Sequence, residues 1–426
     1  MRCLLIAYEF PPIPAAQALR WYYLANQLAK RGVKVDVLTV AIPDVWGGKW
    51  DFHPNINIIR SYPGPFIGLT SKLSNYFKTL PTNTGTPSVP TVTGVPLSIR
   101  LYGLARSILN HVLFPDVRSE WYWFGWGTLK KQHAKHPYDI IISSHEPGVD
   151  LLIGMRAAKK FKRPWLVDFG DPLLAPYTPR WRRWLDRYVE KQVCVGAQQL
   201  IVTTAGMRSL LAERHKKVAP VALITQGYSL QHAQADQSQP KLADQPLILL
   251  FTGNFYQGFR EPNELFAAVR NVTTIRLQIM GEQTAFAQAA AKGCDRIEFV
   301  GKVDHFKCLM AQRKATILVN IGNVQAYQIP GKLYEYLGAQ RPILHISQTP
   351  FDVAIELLTS LNRGRSVSNR QDAIEQVLQE LADAYATGQL DAQYDLSLDT
   401  VKAYSWAAAG ERLHAICCAL HKAVKC

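Results

Sequence analysis

The sequence predicts an α/β protein with two doubly wound β/α domains, each built on a parallel sheet with helices on both faces. Three observations predict this class. The chain opens with a strand, a helix and a second strand, the same alternation restarts in the second half, and a polar stretch separates the two. With 426 residues and 48% hydrophobic content, the chain can bury two or three sizeable cores.

The first domain is predicted over residues 1–230. Residues 3–8 form a nearly continuous apolar run, residues 15–31 have helical periodicity, and residues 34–40 alternate as a second strand. The pattern loosens between about residues 44 and 130, so we expect an irregular insertion there. Later elements are predicted at 139–144, 151–161, 180–197, 199–204 and 221–227.

Residues 231–246 lose their apolar side chains and gain Gln, Asp, Ser and Pro, which is typical of an interdomain linker. The second domain is predicted over 247–400, followed by a terminal segment, 401–426, that contains a last helix. The first strands of this second domain are predicted at 247–252, 275–280, 297–300 and 315–321. Its first helices are predicted at 261–270, 284–292 and 304–313.

The formal charge of +15 and a pI near 9.4 favour an acidic partner, either an anionic membrane surface or phosphorylated substrates. The sequence carries no helix-turn-helix, zinc-finger or aromatic RNA-binding signature, so we expect no nucleic-acid partner. Basic and aromatic residues interleave over 100–126 and 180–184, which predicts contact with anionic lipid. The alternative is an ordinary aromatic core.

The seven cysteines are scattered and form no C-x-x-C pair, so neither a zinc site nor a disulfide framework is predicted. This usage fits a reducing cytoplasm. The sequence has no apolar run long enough for a signal peptide or a spanning helix. We therefore expect a cytoplasmic protein, either soluble or peripheral on the cytoplasmic face of the inner membrane.

Residues 328–346 predict a binding site for a nucleotide sugar. Pro330 can open a helix, where Gly331, Lys332 and free N–H groups suit a diphosphate. Glu335, one turn further along, can accept hydrogen bonds from sugar hydroxyls. The alternative is that Lys332 and Glu335 form an exposed ion pair with no ligand.

The strand at 247–252 leads into a second loop suited to phosphate. Gly253 allows the backbone to approach a ligand closely, and Arg260 can supply charge to a diphosphate. In the first domain, two successive strands deliver His145, Asp168 and Asp171 at their carboxyl ends, where doubly wound sheets bind ligands. A single such residue in a loop is more often a turn former or a helix cap.

These segments resemble family 4 glycosyltransferases. Their donor-binding helix usually has two glutamates separated by seven residues; Glu335 matches the second, and Tyr327 stands at the first. Their glycine loop is commonly followed by an arginine and a lysine, matched by Arg260 but with Leu265 at the lysine position.

The first domain shares this resemblance. Phe-Pro-Pro and an arginine before the first helix are matched at 10–12 and Arg20, with alanines replacing the usual glycines. An acceptor-domain passage is also matched, with Gly170 replacing a frequent arginine. Its matching residues are Ser143, Ser144, Pro147, Pro164, Trp165, Asp168, Asp171 and Pro172.

The resemblance implies the GT-B architecture, in which two Rossmann-like domains face a cleft and the C-terminal helix returns to the first domain. It implies a retaining glycosyltransferase of the hexosyltransferase type, moving a sugar from a nucleotide diphosphate sugar to a glycan or lipid-linked acceptor in bacterial surface polysaccharide synthesis. The alternatives are a nucleotide-sugar epimerase of the same fold and a catalytically silent binding protein.

The predicted site has four parts. The candidates are Asp168, Asp171 and His145 for catalysis, Arg260, Lys332, Gly253 and Gly331 for the donor phosphates, Glu335 for the ribose, and Pro12, Ala15, Ala16 and Arg20 for the acceptor loop. No D-x-D triplet occurs, so we expect no metal and no cofactor.

Overall fold

The structure is a computed structural model that describes residues 1–42, 50–68, 114–115, 117–175, 178–229, 246–325 and 328–425. The chain forms two compact units. Unit 1 comprises Met1–Thr203, Met207–Ile224 and Gly410–Cys426, and unit 2 comprises Thr204–Gly206 and Thr225–Ala409.

Unit 1 is built on a parallel sheet of seven strands in the order β3-β2-β1-β4-β5-β6-β7. The strands are β1 (Arg2–Ile6), β2 (Lys34–Val40), β3 (Ile56–Ser61), β4 (Ile140–His145), β5 (Trp165–Phe169), β6 (Gln199–Val202) and β7 (Val221–Leu223). The helices are α1 (Ala16–Lys30), α2 (Trp121–Lys135), α3 (Gly148–Phe161), α4 (Arg183–Gly196) and α5 (Ala205–Arg214).

The central strands β1, β4 and β5 are almost completely buried. Their sequences are continuous apolar runs rather than alternating ones, because helices cover both faces of a parallel sheet. One core combines these strands with residues of α2, α3 and α4, including Trp126, Ile153 and Val193. The strand order reverses between β1 and β4, so the carboxyl ends of these strands form a switch point at which ligands bind in such sheets.

Unit 2 contains a second parallel sheet of six strands in the order β10-β9-β8-β11-β12-β13. The strands are β8 (Leu247–Thr252), β9 (Ile275–Met280), β10 (Ile297–Phe299), β11 (Ile317–Ile321), β12 (Ile343–Ser347) and β13 (Gly364–Ser368). The helices are α6 (Asn263–Asn271), α7 (Ala285–Ala291), α8 (His305–Lys314), α9 (Gly331–Gly338), α10 (Val353–Ser360), α11 (Gln371–Ala386) and α12 (Leu398–Val401). The strand order reverses between β8 and β11.

The last helix, α13, spans Trp406–Lys425, and from Gly410 onward it belongs to unit 1. Gly410 lies against the side chain of Gln27 in α1, at a distance that leaves no room for a β-carbon. Further along, His421 Nδ1 lies 3.8 Å from Asp139 Oδ1, just before β4. The end of the chain is thus held to unit 1 by close packing and by a polar contact.

The two parallel sheets confirm the predicted α/β fold class. The description of residues 44–130 as an irregular insertion needs correction, because this range contains β3 and most of α2. In β3 the buried residues alternate with exposed ones only at the end of the strand, and α2 mixes aromatic residues with two glycines, so neither shows a clear period. Residues 43–49, 69–113 and 116, and residues 231–245 of the predicted linker at 231–246, lie outside the described residues.

Candidate functional site

In unit 2, the loop that follows β8 holds a buried arginine. Gly253 has φ +144°, which favours glycine, and lets the chain turn directly after the strand. Arg260, at the far end of this loop, donates from Nη2 to Asn323 Oδ1, in the loop that follows β11. Its partner is therefore a neutral amide, and no described carboxylate forms an ion pair with it.

The guanidinium of Arg260 is a concentrated positive charge at this edge of the sheet. Burial lowers the pKa of Arg260, but a guanidinium stays protonated at neutral pH. Its Nε is buried and has no hydrogen-bond acceptor among the described residues. A buried cation with an unused donor is suited to bind an anion such as a phosphate group.

Helix α9 brings Lys332 and Glu335 together as the i,i+3 spacing predicts. Lys332 Nζ lies 2.7 Å from Glu335 Oε2, and the side chains are 31% and 12% exposed. Burial lowers the pKa of Lys332, but the Glu335 carboxylate outweighs this and raises it overall. Burial raises the pKa of Glu335, but Lys332 and then His305 outweigh this and lower it overall. Both groups are charged at neutral pH.

Glu335 has a second partner that sequence reasoning missed. The buried Gln312 of α8 donates from Nε2 to Glu335 Oε2 at 3.2 Å and lies 3.2 Å from Thr252 Oγ1, at the end of β8. Tyr336 Oη lies 2.9 Å from both the nitrogen and the hydroxyl oxygen of Thr252. This network fixes α9 to the carboxyl end of β8, next to Gly253.

The N-terminus of α9 has a geometry suited to anions. Pro330 is the N-cap residue and provides no side-chain cap, and Gly331 begins the helix beside the side chain of Gln226. The first N–H groups of an α-helix have no partner within the helix, and the helix dipole favours negative charge at this end. Gly331 and Lys332 therefore meet the requirements of a phosphate site.

The loops after β8 and β11 are joined by polar side chains. Asn323, which accepts from Arg260, donates from Nδ2 to Gln328 Oε1 at 3.2 Å, two residues before Pro330. The structure thus brings the predicted phosphate residues Gly253, Arg260, Gly331 and Lys332 to one edge of the unit 2 sheet, together with Glu335. Asn323 and Gln312 complete the site, and no motif marked them. Tyr327 lies outside the described residues.

In unit 1, Asp168 and Arg20 form a completely buried ion pair. Arg20 Nε lies 2.8 Å from Asp168 Oδ2 and Arg20 Nη2 lies 3.0 Å from Oδ1, and both side chains are 0% exposed. Gln17 Nε2 donates to Oδ2 at 3.0 Å, and Arg20 also donates to the carbonyl oxygen of Ile224 at 2.8 Å. These contacts join α1, β5 and the end of β7. The catalytic role of Asp168 and the acceptor role of Arg20 stay predictions.

His145 and Asp171 are connected through the backbone. His145 Nδ1 lies 2.8 Å from the carbonyl oxygen of Asp171, which fixes the ring beside that loop. Gly170 lies between the side chain of Gln17 and the carbonyl oxygen of His145, where a β-carbon would be crowded. This close approach explains a glycine at this position. The Asp171 side chain is partly exposed, whereas His145 is buried.

The predicted acceptor loop follows β1. Pro12 is buried, Ala15 is partly buried, and Ala16 is exposed at the first position of α1. Arg60 Nη2 donates to the carbonyl oxygen of Pro11 at 2.8 Å and ties this loop to β3. The loop is therefore held to β3, and Ala15 and Ala16 are more exposed than Pro11 and Pro12.

The described residues contain neither a cluster of metal ligands nor a membrane-spanning helix. No group of three or more His, Cys, Asp or Glu residues in them is arranged to hold a metal ion. None of the helices in the described ranges is long and apolar enough to cross a membrane.

Comparison with known proteins identifies the chain's relatives. A family model described as a glycosyl transferase 4-like domain matches residues 16–227. Sucrose-phosphate synthase from Thermosynechococcus elongatus has a similar structure (TM-score 0.69, 18% identity, 99% of each chain covered). Anabaena HepE in complex with UDP and glucose is also similar (TM-score 0.62, 12% identity, 97% of this chain and 98% of that one).

A third structure, a putative UDP-N-acetylglucosamine 2-epimerase from Listeria monocytogenes, has a TM-score of 0.56 with 14% identity over 97% of this chain and 94% of its own. No curated protein sequence matches the chain. At these identities the structural likeness establishes the GT-B fold. The family model assigns residues 16–227 to the glycosyl transferase 4-like family.

Proposed function

Because residues 16–227 belong to the glycosyl transferase 4-like family, we propose that the chain transfers a sugar from a nucleoside diphosphate sugar to a glycan or lipid-linked acceptor. One observation supports this proposal most strongly. At one edge of the unit 2 sheet, Arg260, Lys332 and the N-terminus of α9 place positive charge beside one carboxylate, that of Glu335. The enzyme would be of the hexosyltransferase type and act in bacterial surface polysaccharide synthesis, at the cytoplasmic face of the inner membrane.

The donor diphosphate would lie between the loop after β8 and the start of α9. Arg260 has an unused buried Nε–H donor, and the Lys332 ammonium has three N–H donors, of which Glu335 accepts one. The similar HepE structure contains UDP and glucose, which supports a uridine diphosphate sugar as the first donor to test. Glu335, held by Lys332 and Gln312, would accept hydrogen bonds from the ribose hydroxyls.

The charge that develops on the leaving diphosphate would be stabilised by fixed groups. Positive side chains and helix N–H groups that are already oriented stabilise such charge without reorganisation. In this proposal Arg260, Lys332 and the amides near Gly331 take the place that a divalent metal has in other transferases. Family resemblance implies retention of the anomeric configuration. We expect added Mg²⁺ or EDTA to change the rate little.

On the acceptor side, the residues with solvent access are the better candidates for contact with substrate. Asp171 is partly exposed and its carbonyl oxygen fixes His145, so the two form one unit at the ends of β4 and β5. Both oxygens of the Asp168 carboxylate accept hydrogen bonds inside unit 1. We therefore assign Asp171 to contact with the acceptor, and the buried residues Asp168, Arg20 and His145 to positioning this loop edge.

Calorimetry with UDP tests the donor site. Glu335→Gln keeps the shape of the side chain and removes its charge. The free energy of UDP binding should therefore become less favourable by about 1.5–3 kcal/mol, the typical contribution of a charge-assisted hydrogen bond. Glu380→Gln is the matched control, because Glu380 also pairs with a cation, Arg365, but at an exposed position on α11. Equal UDP affinity in the wild type and in Glu335→Gln would contradict the assignment.

A nucleotide-sugar epimerase is the second candidate, favoured by the structural similarity to the Listeria epimerase. Radiolabelled UDP-sugars distinguish the two. A transferase releases UDP and moves the label to an acceptor, whereas an epimerase returns the label in a nucleotide sugar of changed configuration. A protein that binds UDP but yields neither product would be the catalytically silent binding protein.

A further inference from the structure

Three neighbouring helices of unit 1 expose only positive charge. Helix α2 packs against α3, and α3 packs against α4, so the three lie side by side over the core of the sheet. Each contributes three exposed cations. They are Lys130, Lys131 and Lys135 of α2, Arg156, Lys159 and Lys160 of α3, and Arg183, Arg187 and Lys191 of α4.

The carboxylates of these helices all point into the protein. The structure describes every residue of the three helices, and their acidic residues are Asp150, Asp186 and Glu190, each 0% exposed. Asp150 accepts from the backbone of Tyr8, and Asp186 pairs with Arg182 at 3.1 Å. Glu190 lies 2.9 Å from His215. The outer surface of α2, α3 and α4, here called the cationic face, therefore carries no neutralising carboxylate of its own.

Large aromatic side chains accompany the cations. Trp184 of α4 is 70% exposed and Trp123 of α2 is 69% exposed, although Trp121 and Trp126 of the same helix are buried in the core. Trp181 and Tyr188 are also exposed, and with Trp184 they follow helical spacing along the start of α4. Solvent exposure of several such rings is unfavourable unless another phase or partner covers them.

We propose that the cationic face docks on an anionic lipid bilayer. Basic side chains are attracted to anionic headgroups, and tryptophan and tyrosine rings are favoured at the level of the headgroups. The combination fits a bilayer better than a nucleic acid, because the rings stand on the exposed sides of neighbouring helices rather than as a row of stacking platforms along a nucleic-acid strand. This inference deepens the proposed function, since a lipid-linked acceptor would lie in that bilayer.

The sequence predicts lipid contact for 100–126 and 180–184. In the structure, only some of these residues lie on the cationic face, and other residues join them. Residues 100–113 lie outside the described residues, Trp121 and Trp126 belong to the core, and Arg182 is turned toward Asp186. Helix α3, which sequence reasoning did not include, contributes three exposed cations. The face is a product of helix packing, because its residues are spread over about 60 positions of the chain.

Flotation of the full chain with vesicles tests the proposal without donor or acceptor, so its failure would leave the transferase proposal untouched. We expect flotation with vesicles containing about 30% phosphatidylglycerol, none with phosphatidylcholine alone, and weaker binding as salt rises. Arg187→Gln with Lys191→Gln should lower vesicle affinity about thirtyfold, equivalent to about 1 kcal/mol per basic residue. Trp184→Ser with Tyr188→Ser should weaken binding at high salt as well.

Matched controls are available in unit 2. Arg276→Gln with Lys292→Gln removes two exposed cations, and Phe351→Ser removes an aromatic side chain that is 84% exposed. Neither control should change flotation. The bilayer proposal is overturned if the wild type fails to float, if control and test variants lose binding equally, or if duplex DNA binds as tightly as vesicles and the aromatic variants bind both normally.

Discussion

The Arg20–Asp168 pair of unit 1 and the Lys332–Glu335 pair of unit 2 are both predicted site residues, but they differ in access. Arg20 and Asp168 are completely buried and form a two-point ion pair with additional bonds to Gln17 and to the backbone. Lys332 and Glu335 are joined to each other by a single contact, and the Lys332 side chain is 31% exposed. The first pair is saturated by the protein, whereas the second can still accept a ligand.

This difference shows that charge at the edge of a parallel sheet is not by itself evidence of a binding site. A buried charge whose partner is removed costs several kcal/mol, so a saturated pair acts mainly on folding. A pair that remains open to solvent contributes little to folding, and a ligand can use its charge. Three predictions test this contrast.

Asp168→Asn should destabilise the fold by about 3–5 kcal/mol, because it leaves the Arg20 guanidinium buried without a countercharge. Urea unfolding followed by circular dichroism measures this. Asp171→Asn is the matched control and should change stability little, since the Asp171 side chain is partly exposed. If Asp168→Asn keeps wild-type stability and UDP affinity while sugar transfer collapses, Asp168 is catalytic and the contrast fails.

Substitution of Arg260 should affect turnover more than folding. Arg260→Gln removes the charge beside Asn323, and kcat should fall about a hundredfold, as for the loss of one donor to a developing negative charge. Arg260→Lys keeps the charge but loses the planar fork, so it should recover only part of the rate. Steady-state kinetics with saturating donor and acceptor provide the measurement. Full kcat in Arg260→Gln would show that the leaving group does not use this cation.

The free energy of unfolding should depend on pH slightly differently in the wild type, which has the Lys332–Glu335 pair, and in Glu335→Gln. The folded protein holds the pKa of Glu335 below its ordinary value of 4.5, so this carboxylate stabilises the fold above that pH. The stabilisation is lost as the pH falls through the folded pKa. The difference in unfolding free energy between wild type and Glu335→Gln should therefore shrink below about pH 4.5. A difference that is independent of pH would show that the charge does not contribute.

Much of the fold and part of the site follow from local sequence. Buried parallel strands are apolar runs, and spacing along one helix fixes which side chains meet, so most strands of both sheets and the Lys332–Glu335 contact were predicted. Strand β3 and helix α2 were missed because their residues lack a regular apolar period. The phosphate role of Arg260 was predicted, but its partner Asn323 was not, since 63 residues separate them and no pattern links two loops that distant.

Local sequence patterns are enough to predict two parallel α/β sheets, an excess of positive charge, and a helix that starts with Pro-Gly-Lys and carries a glutamate one turn later. Which charges are paired inside the protein and which face outward depends on how the helices and strands pack. Asp168, Asp186 and Glu190 are buried and paired inside the protein, whereas the lysines and arginines of α2, α3 and α4 lie side by side on one surface. The physical reason is that burial and partnership depend on contacts between residues far apart in the chain, and local periodicity does not encode those contacts.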